Sequence, residues 1–273
     1  MKLTSLFNDR YLPVARRSLK PRTVAEYERI ATKLLLPRLG NRLIAGLKLE
    51  DAEALHEALS TAPVQANRAI AVLSAVLTFA TERGLLAVNP VRGVHRNKET
   101  GREFFYRPEQ TTALLSTLSG WDDIRARYIA LELLTGCRPG ELLESAVSWR
   151  HGAALRTPDG KTGGRTIFLS RPAEAILDAL TPCTKTGRYF PDGMDLRRAW
   201  ERVVRVAGVP KARLYDLRHT FASAALANGV GLDVIGMMLG HTKRETTLRY
   251  AHLAPDVGVN AAAAAAVRMG AGK

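Results

Sequence analysis

Apolar residues recur at spacings of three or four along most of this chain, and the pattern changes character between Trp149 and Ser170. That stretch contains Gly, Pro-Asp-Gly and Thr-Gly-Gly breaks between short β-rich pieces such as Thr166 to Leu169, which is typical of a small antiparallel hairpin. The hydrophobic fraction of 46% and the charged fraction of 24% are those of a folded chain. The sequence therefore predicts a mainly α fold with a small antiparallel β-sheet.

A polar stretch with little periodicity, residues 94–101, follows Asn89-Pro90 and is typical of an interdomain linker. At 273 residues the chain has room for two domains. We place the boundary between about residues 92 and 103. The predicted parts are an all-helical domain over residues 1–97 and a second domain over 102–273, which ends in a tail over 255–273.

The helical period also predicts the positions of individual helices. Capping boxes at Thr23–Glu26 and Thr242–Glu245 mark two of the helix starts. Pro63 suits a first helical position, and Gly84 suits a helix stop. The main predicted helices, in chain order, cover residues 23–37, 49–59, 63–84, 108–118, 124–134, 196–207, 217–227, 232–239 and 246–253.

The chain is strongly basic, with 40 Lys and Arg against 26 Asp and Glu and a formal net charge of +14. Both predicted domains carry an equal share of this excess. A folded protein of this charge most commonly binds a polyanion, because phosphate neutralisation releases counterions. Charge alone leaves ribosomal, RNA-binding and DNA-binding functions open.

No uninterrupted apolar run approaches the roughly 20 residues that span a bilayer, and the N-terminus does not resemble a secretory signal. We therefore expect a cytoplasmic protein with no membrane partner. Cys137 and Cys183 lack metal-ligand spacing, so we expect free thiols, no disulfide and no metal site.

The segment around Arg138 is the first with chemical character. Gly136 is suited to end one helix and Pro139 to begin the next, which places Arg138 at a helix N-terminus that favours an anion. A guanidinium there adds a bidentate donor for phosphate oxygens, and Glu141 can orient it. The alternative, a surface ion pair between Arg138 and Glu141, remains open on this segment alone.

A second group of polar residues lies nearer the C-terminus. Tyr215 and Arg218 are three residues apart and so share a helical face. His241 follows Gly240 at a helix end, and Tyr250 lies on the next predicted helix. Taken one at a time, a loop histidine is more commonly structural and a tyrosine on an amphipathic helix more commonly part of a core.

Together these residues form an ordered set that resembles the tyrosine recombinase family, which includes phage integrases and Xer-type enzymes. The resemblance rests on Arg138, Lys161, Tyr215-x-x-Arg218, Leu239-Gly240-His241 and Tyr250. It covers the whole chain, since the N-terminal part resembles the family's helical core-binding (SAM-like) DNA-binding domain. It implies a two-domain clamp around DNA in which residues 102–273 form the catalytic domain.

The resemblance also implies a role for each matching residue. Tyr250 is the nucleophile that attacks a DNA phosphodiester and forms a 3′-phosphotyrosyl link, leaving a free 5′-hydroxyl. Arg138 and Arg218 stabilise the charge that builds on the phosphate, and His241 donates a further hydrogen bond to it. Lys161, in the predicted hairpin, is the general acid for the departing 5′-oxygen. Guanidinium groups supply the positive charge, so no metal or cofactor is expected.

Tyr215 departs from the family pattern, which commonly has a histidine at this position. A phenol can donate a hydrogen bond to phosphate but is a poor proton acceptor at neutral pH, so we expect an active but slower enzyme. His219 lies about a hundred degrees around the helix from Arg218, and we expect it to be structural. Glu141 and Asp216 match acidic positions that support the arginines.

The resemblance further implies double-stranded DNA as the partner, a tetramer on paired DNA sites, accessory DNA-bending proteins and a nucleoid location. We expect the Ala-rich tail to form a short helix that docks on a neighbouring protomer. The basic residues expected to contact DNA are Lys20, Arg22, Arg68, Arg165, Lys243 and Arg244.

Two other functions stay open at this point. One is DNA relaxation like that of a type IB topoisomerase, which uses the same tyrosine chemistry without exchanging strands between sites. The other is a recombinase-derived DNA-binding protein that has lost catalysis and acts architecturally. Site-specific recombination is favoured, because the helical N-terminal domain is present and both arginines, Lys161, His241 and Tyr250 are retained.

Overall fold

The computed structural model describes residues 1–99, 104–158, 164–251, 263 and 266–269. The chain divides into two compact units, Met1–Gly101 and Arg102–Lys273, and each has its own hydrophobic core. Helices dominate both units, and the described strands lie in the second. The predicted mainly α fold with a small antiparallel sheet is confirmed.

The first unit begins with a continuous helix, α1, that the sequence analysis did not predict. Its consecutive segments are Leu3–Ser5, the wider π-helical Leu6–Tyr11 and Leu12–Ser18. Leu6 and Phe7 are buried in the core of this unit. Polar residues within the segment break the apolar period, so burial rather than periodicity identifies this helix.

The second helix, α2, runs without a break through Pro21–Ile30, Ala31–Leu35 and Leu36–Leu39. The predicted start at Thr23 is wrong by two residues. The helix begins at its proline, whose fixed φ suits the first helical position, and the extended Lys20 precedes it. The middle segment is π-helical, which is a local widening rather than an end.

A short 3₁₀ turn, Ile44–Gly46, leads to helix α3, Leu49–Glu57, and then to the long helix α4, Pro63–Glu82. The predicted helices 49–59 and 63–84 are confirmed to within two residues. Gly84 has a φ of +68°, a left-handed conformation that glycine adopts without strain, and it ends this helical region as predicted.

Helix α4 is long and apolar enough, by length and composition alone, to cross a membrane. The sequence contains no unbroken apolar run of that length, because polar residues interrupt the helix. Its apolar residues, among them Ile70, Leu73 and Leu77, are buried against the other helices of the first unit. This burial is typical of the core helix of a folded domain.

The second unit contains further helices around a two-stranded sheet. The strands β1, Ala154–Arg156, and β2, Thr166–Phe168, pair antiparallel with Leu155 opposite Ile167, and both of these side chains are buried. The hairpin residues 159–163, including Lys161, lie outside the described residues. The helices are α5 Pro108–Ser119, α6 Ile124–Thr135, α7 Pro139–Leu143, α8 Arg171–Asp178, α9 Leu196–Val206, α10 Asp216–Ala227, α11 Leu232–Leu239 and α12 Arg244–Leu248, with a 3₁₀ turn at Val147–Trp149.

Most of these helices lie within one or two residues of the predicted bounds, and the last one differs. Helix α12 begins at Arg244 and ends at Leu248, whereas the prediction covered 246–253. Thr242 does not cap it, because the residue before its first turn is Lys243 and no side-chain cap is present. Tyr250 therefore lies in the turn after the helix, where its backbone N–H donates to the Thr247 carbonyl.

Candidate active site

Two helix C-termini form the base of the site. Helix α6 ends at Gly136 with a φ of +60°, and α11 ends at Gly240 with a φ of +65°. A Cβ at Gly136 would lie 2.5 Å from Phe221, and a Cβ at Gly240 would lie 2.2 Å from the Arg165 side chain. Both the left-handed backbone and the close packing therefore require glycine at these two positions.

Arg218 binds the carbonyls at both of these helix ends. Its guanidinium donates to the Gly136 oxygen at 2.7 Å and to the Leu239 oxygen at 2.5 Å. The side chain is 1% exposed, and burial lowers the pKa of the guanidinium from its ordinary value. The negative ends of two helix dipoles compensate this buried cation. The contacts fix its position before any ligand is present.

Arg138 lies beside the same carbonyl cluster. Its guanidinium donates to the Gly240 oxygen at 2.8 Å and to Glu141 Oε1 at 2.8 Å, while its backbone N–H donates to Glu141 Oε2 at 2.8 Å. The Glu141 carboxylate thus both orients the Arg138 guanidinium and caps the N-terminus of helix α7. The Arg138 side chain is one-third exposed, so it remains accessible to an anion from solvent.

Arg165 shares the Glu141 carboxylate with Arg138. Its guanidinium donates to both carboxylate oxygens, at 3.0 and 2.5 Å, and to the Met238 carbonyl at 2.6 Å. Burial raises the pKa of Glu141, but Arg165 and then Arg138 outweigh it and hold that pKa at about 2. Arg165 thus binds Glu141 and the Met238 carbonyl within the protein, and its predicted DNA contact stays a prediction.

His241 follows Gly240 and faces the next turn of chain. Its Nδ1 lies 2.8 Å from the Thr247 hydroxyl. Burial, followed by the charges of Arg218 and Arg138, lowers the pKa of the imidazole to about 4. His241 is therefore neutral at neutral pH and keeps a ring N–H as a hydrogen-bond donor.

Tyr250 is buried, and its hydroxyl contacts a histidine that the sequence analysis placed outside the site. Its Oη lies 2.8 Å from His219 Nδ1. Burial raises the pKa of the Tyr250 phenol, and Arg218 partly offsets this effect. The contact fits the structural role expected of His219 and also places its imidazole against the predicted nucleophile. His219 and Tyr250 are 31 residues apart in the sequence, and no local spacing indicates this contact.

Tyr215 lies beside Arg218, as the three-residue spacing predicted: burial lowers the pKa of the Arg218 guanidinium, and Tyr215 partly offsets this effect. It precedes the first turn of α10 and is 45% exposed, whereas Arg218 is buried. Its ring lies edge-on to the His219 ring, with 5.7 Å between centroids. The Tyr215 backbone is itself helical, with φ −57° and ψ −24°, and its carbonyl accepts a hydrogen bond from the Arg218 N–H at 3.2 Å.

Asp216 supports the helix that carries Arg218 rather than the guanidinium itself. Its buried carboxylate accepts a hydrogen bond from the Arg213 backbone N–H at 2.9 Å. This contact holds the loop before α10 against the first turn of the helix. Its negative charge at the helix N-terminus also stabilises the helix dipole.

The other residues predicted to contact DNA lie on the surface. Arg244 pairs with Asp233 at 3.1 Å, and both side chains are exposed, so this ion pair contributes little to stability. Lys161, the predicted general acid, lies outside the described residues. The exposed members of the set predicted to contact DNA are Lys20, Arg22 and Arg68 in the first unit, and Lys243 and Arg244 in the second.

Glu132 is a buried carboxyl behind the site that the sequence analysis missed. It is 0% exposed, and among the described residues no donor binds either carboxylate oxygen. The neighbouring Tyr128 hydroxyl donates instead to the Pro139 carbonyl at 2.9 Å. Burial raises the pKa of Glu132 well above its ordinary value, while Tyr128 and Arg218 partly offset this effect.

A Glu132→Gln variant is expected to be more stable than wild type by about 1–3 kcal/mol at about pH 8. The raised pKa keeps the folded carboxyl protonated, while the unfolded one ionises above its ordinary pKa. The free energy of unfolding of the wild type therefore falls as the pH rises from the ordinary pKa of a carboxyl towards the raised one. The glutamine variant lacks this loss. Thermal unfolding at about pH 5 and about pH 8 measures it. A stability difference that does not grow with pH would contradict the buried neutral carboxyl.

No cluster of His, Cys, Asp or Glu side chains suited to holding a metal ion occurs among residues 1–99, 104–158 and 164–251. Both thiols are free, with Cys137 buried and Cys183 exposed.

Known proteins are similar to this chain in sequence and in fold. Residues 105–256 match the phage integrase family. The chain is 30% identical to the integrase of Escherichia phage P2 over 198 residues, which are 71% of this chain and 57% of the phage protein. It is also 30% identical to tyrosine recombinase XerC of Staphylococcus carnosus (strain TM300) over 211 residues, 68% of this chain and 70% of that protein.

A solved lambda integrase tetramer bound to a Holliday junction has the same fold, with a TM-score of 0.73 at 19% identity, over 89% of this chain and 78% of that one. This chain spans little more than half the length of the phage P2 integrase. The family match nevertheless covers more than half of the chain itself. The protein is therefore a member of the phage integrase family of tyrosine recombinases.

Proposed function

We propose that this protein is a site-specific DNA recombinase that cuts and rejoins DNA through a 3′-phosphotyrosyl intermediate. One observation carries the proposal: Arg138 and Arg218, from separate helices, bind the carbonyls of Gly240 and Leu239, directly before His241. His241 in turn bonds Thr247, three residues before Tyr250. Residues 239–250 thus bind both arginines, which are the anion-binding groups. The same stretch contains His241, the neutral hydrogen-bond donor, and Tyr250, the nucleophile.

In this reaction the Tyr250 oxygen attacks the phosphorus, and the bond to the 5′-oxygen breaks. Arg138 and Arg218 stabilise the negative charge on the nonbridging oxygens, and their fixed positions reduce the reorganisation needed in the transition state. His241 donates its ring N–H to the same phosphate, and Lys161 protonates the departing oxygen. The phosphotyrosyl bond keeps the energy for rejoining, so neither a cofactor nor an external energy source is required.

DNA binding has to uncover part of this site. Arg218 and Tyr250 are 1% and 3% exposed, so a phosphate reaches them only if the groups that cover them move. Tyr250 lies in a turn after the short helix α12. Arg138 is already accessible and is the first of these groups that a phosphate can meet.

We assign residues 1–97 to a core-binding domain and residues 102–273 to the catalytic domain, which together clamp duplex DNA. Both parts are basic, as a surface that follows the phosphate backbone requires. By analogy with the lambda integrase tetramer on a Holliday junction, we propose that this chain assembles as a tetramer on paired DNA sites, with accessory bending proteins. We place it in the cytoplasm, on the nucleoid. The tail, residues 255–273, lies almost wholly outside the described residues, and its docking on a neighbour stays a prediction.

A plasmid carrying two copies of the DNA that flanks the protein's own gene tests the function. A site-specific recombinase exchanges strands between the two copies and yields deletion or inversion products. Relaxed plasmid without exchange products would favour the topoisomerase-like alternative. Binding with neither cleavage nor relaxation would favour the architectural one. The same plasmid, treated with detergent and digested, maps the cleavage site.

A further inference from the structure

His219 and Tyr250, which are 31 residues apart in the sequence, are in hydrogen-bond contact. The distance from Nδ1 to Oη is 2.8 Å, and the rings lie 5.6 Å apart at an angle of 52°. His219 directly follows Arg218 on helix α10, so the helix that fixes the arginine also fixes the imidazole. The Tyr215 ring packs edge-on against the other side of His219 and restricts its rotation.

We propose that His219 is a catalytic residue that accepts the phenolic proton of Tyr250 as this tyrosine attacks DNA. The inference rests on the proposed recombinase function and assigns the proton acceptor that Tyr215 leaves vacant. A neutral imidazole with its proton on Nε2 presents Nδ1 as the acceptor, which is the atom that faces the hydroxyl. The contact satisfies the distance that general base catalysis requires.

The step balances as follows. The Oη–H proton moves to His219 Nδ1 while a bond forms between Oη and phosphorus, and the bond between phosphorus and the 5′-oxygen breaks. The 5′-oxygen takes its proton from the general acid, assigned to Lys161. On rejoining, the 5′-hydroxyl attacks phosphorus and loses its proton to that group. The Tyr250 oxygen leaves and recovers its proton from His219.

The charges around His219 favour this role. Burial lowers the pKa of the imidazole and Asp216 raises it, but nearby arginines again lower it, so the ring is a free base at neutral pH. Burial raises the pKa of Tyr250, and the phenol therefore needs an acceptor to ionise. The titratable and charged groups that face His219 are Arg213, Tyr215, Asp216, Arg218, Arg249 and Tyr250.

A His219→Asn variant isolates the proton transfer, because the asparagine Oδ1 can still accept the phenolic hydrogen bond but cannot take the proton. A nicked duplex built on the mapped cleavage site is the substrate, and single-turnover adduct formation is followed from about pH 6 to about pH 9. At neutral pH the variant is expected to be about 100-fold slower than wild type, with unchanged DNA affinity. His151→Asn, an exposed histidine away from the site, is the matched control.

The pH dependence separates this role from a structural one. The wild-type rate is expected to be level around neutral pH, because His219 is already unprotonated, whereas the variant rate should keep rising as the phenol ionises by itself. A His219→Asn variant that matches or exceeds wild type at every pH would overturn the proposal, with the contact then merely holding Tyr250 in place. A wild-type protein that forms no adduct, or a Tyr250→Phe variant that does, would instead overturn the proposed function.

Discussion

A Tyr250→Phe variant is expected to form no covalent adduct with DNA and to produce no recombinants, while it binds DNA as tightly as wild type. The substitution removes one oxygen, which is the atom proposed to attack phosphorus. The ring keeps its place in the small apolar cluster with Ala222, Leu226 and Leu239, so folding should change little. Adduct formation on the nicked duplex, read by denaturing gel, measures the effect.

The matched control for this variant is Tyr189→Phe, a buried tyrosine of the same unit that lies outside the candidate site. It is expected to form the adduct at the wild-type rate. Adduct formation by Tyr250→Phe at a rate near that of wild type would show that another residue is the nucleophile. Loss of DNA binding in this variant would show instead that the hydroxyl has a structural role.

An Arg218→Gln variant is expected to lose about 10³-fold or more in the rate of adduct formation. It removes the guanidinium that stabilises the phosphate in the transition state. It also leaves the carbonyls of Gly136 and Leu239 without their donors, which costs about 1–3 kcal/mol of stability for each group that stays buried and unpaired. Single-turnover kinetics and thermal unfolding measure the two effects separately.

Arg138→Gln distinguishes catalysis from folding in this comparison. Arg138 is one-third exposed, so its loss is expected to slow cleavage with a smaller effect on thermal unfolding than the loss of Arg218. Arg218→Lys keeps the charge but not the planar fork that bridges two carbonyls, and it should rescue cleavage only in part. A folded Arg218→Gln protein that cleaves at the wild-type rate would remove this residue from the proposed mechanism.

The spacing of apolar residues predicted the helices and their bounds well where one face of a helix is apolar. Helix α4 begins at its proline and α11 has the predicted bounds, because periodicity and end signals agree there. The hairpin was predicted from glycine breaks around short β-rich pieces, and its register places Leu155 opposite Ile167 in the core. These features depend on neighbouring residues alone, which is why the sequence contains them.

Capping patterns were less informative than the residues suggested. Thr23 and Thr242 both begin a capping box in the sequence, yet neither starts a helix. In the first case a proline two residues earlier already fixes the backbone. In the second case the helix is only five residues long, and Tyr250 lies beyond its end rather than on its face. Short-range signals of this kind compete with tertiary packing, which decides the outcome.

The candidate site required the structure because its contacts join distant parts of the chain. The bond from Arg218 to Gly136 and the contact from His219 to Tyr250 depend on how α10 packs against its neighbours, which no local spacing encodes. The contact between Arg165 and Glu141 likewise joins residues 24 positions apart, and no local pattern indicates it. The sequence shows which residues are basic, but only the fold shows which of them pair with groups inside the protein.

If Tyr250 is the nucleophile, it becomes covalently linked to the cleaved DNA strand. Identification of the peptide that is linked to the trapped strand tests this. Wild-type protein is trapped on the nicked duplex, digested with protease, and the nucleotide-linked peptide is sequenced by mass spectrometry. We expect one modified residue, Tyr250, joined to a 3′-phosphate, with a free 5′-hydroxyl on the other DNA end. A link at another residue, or to a 5′-phosphate, would contradict it.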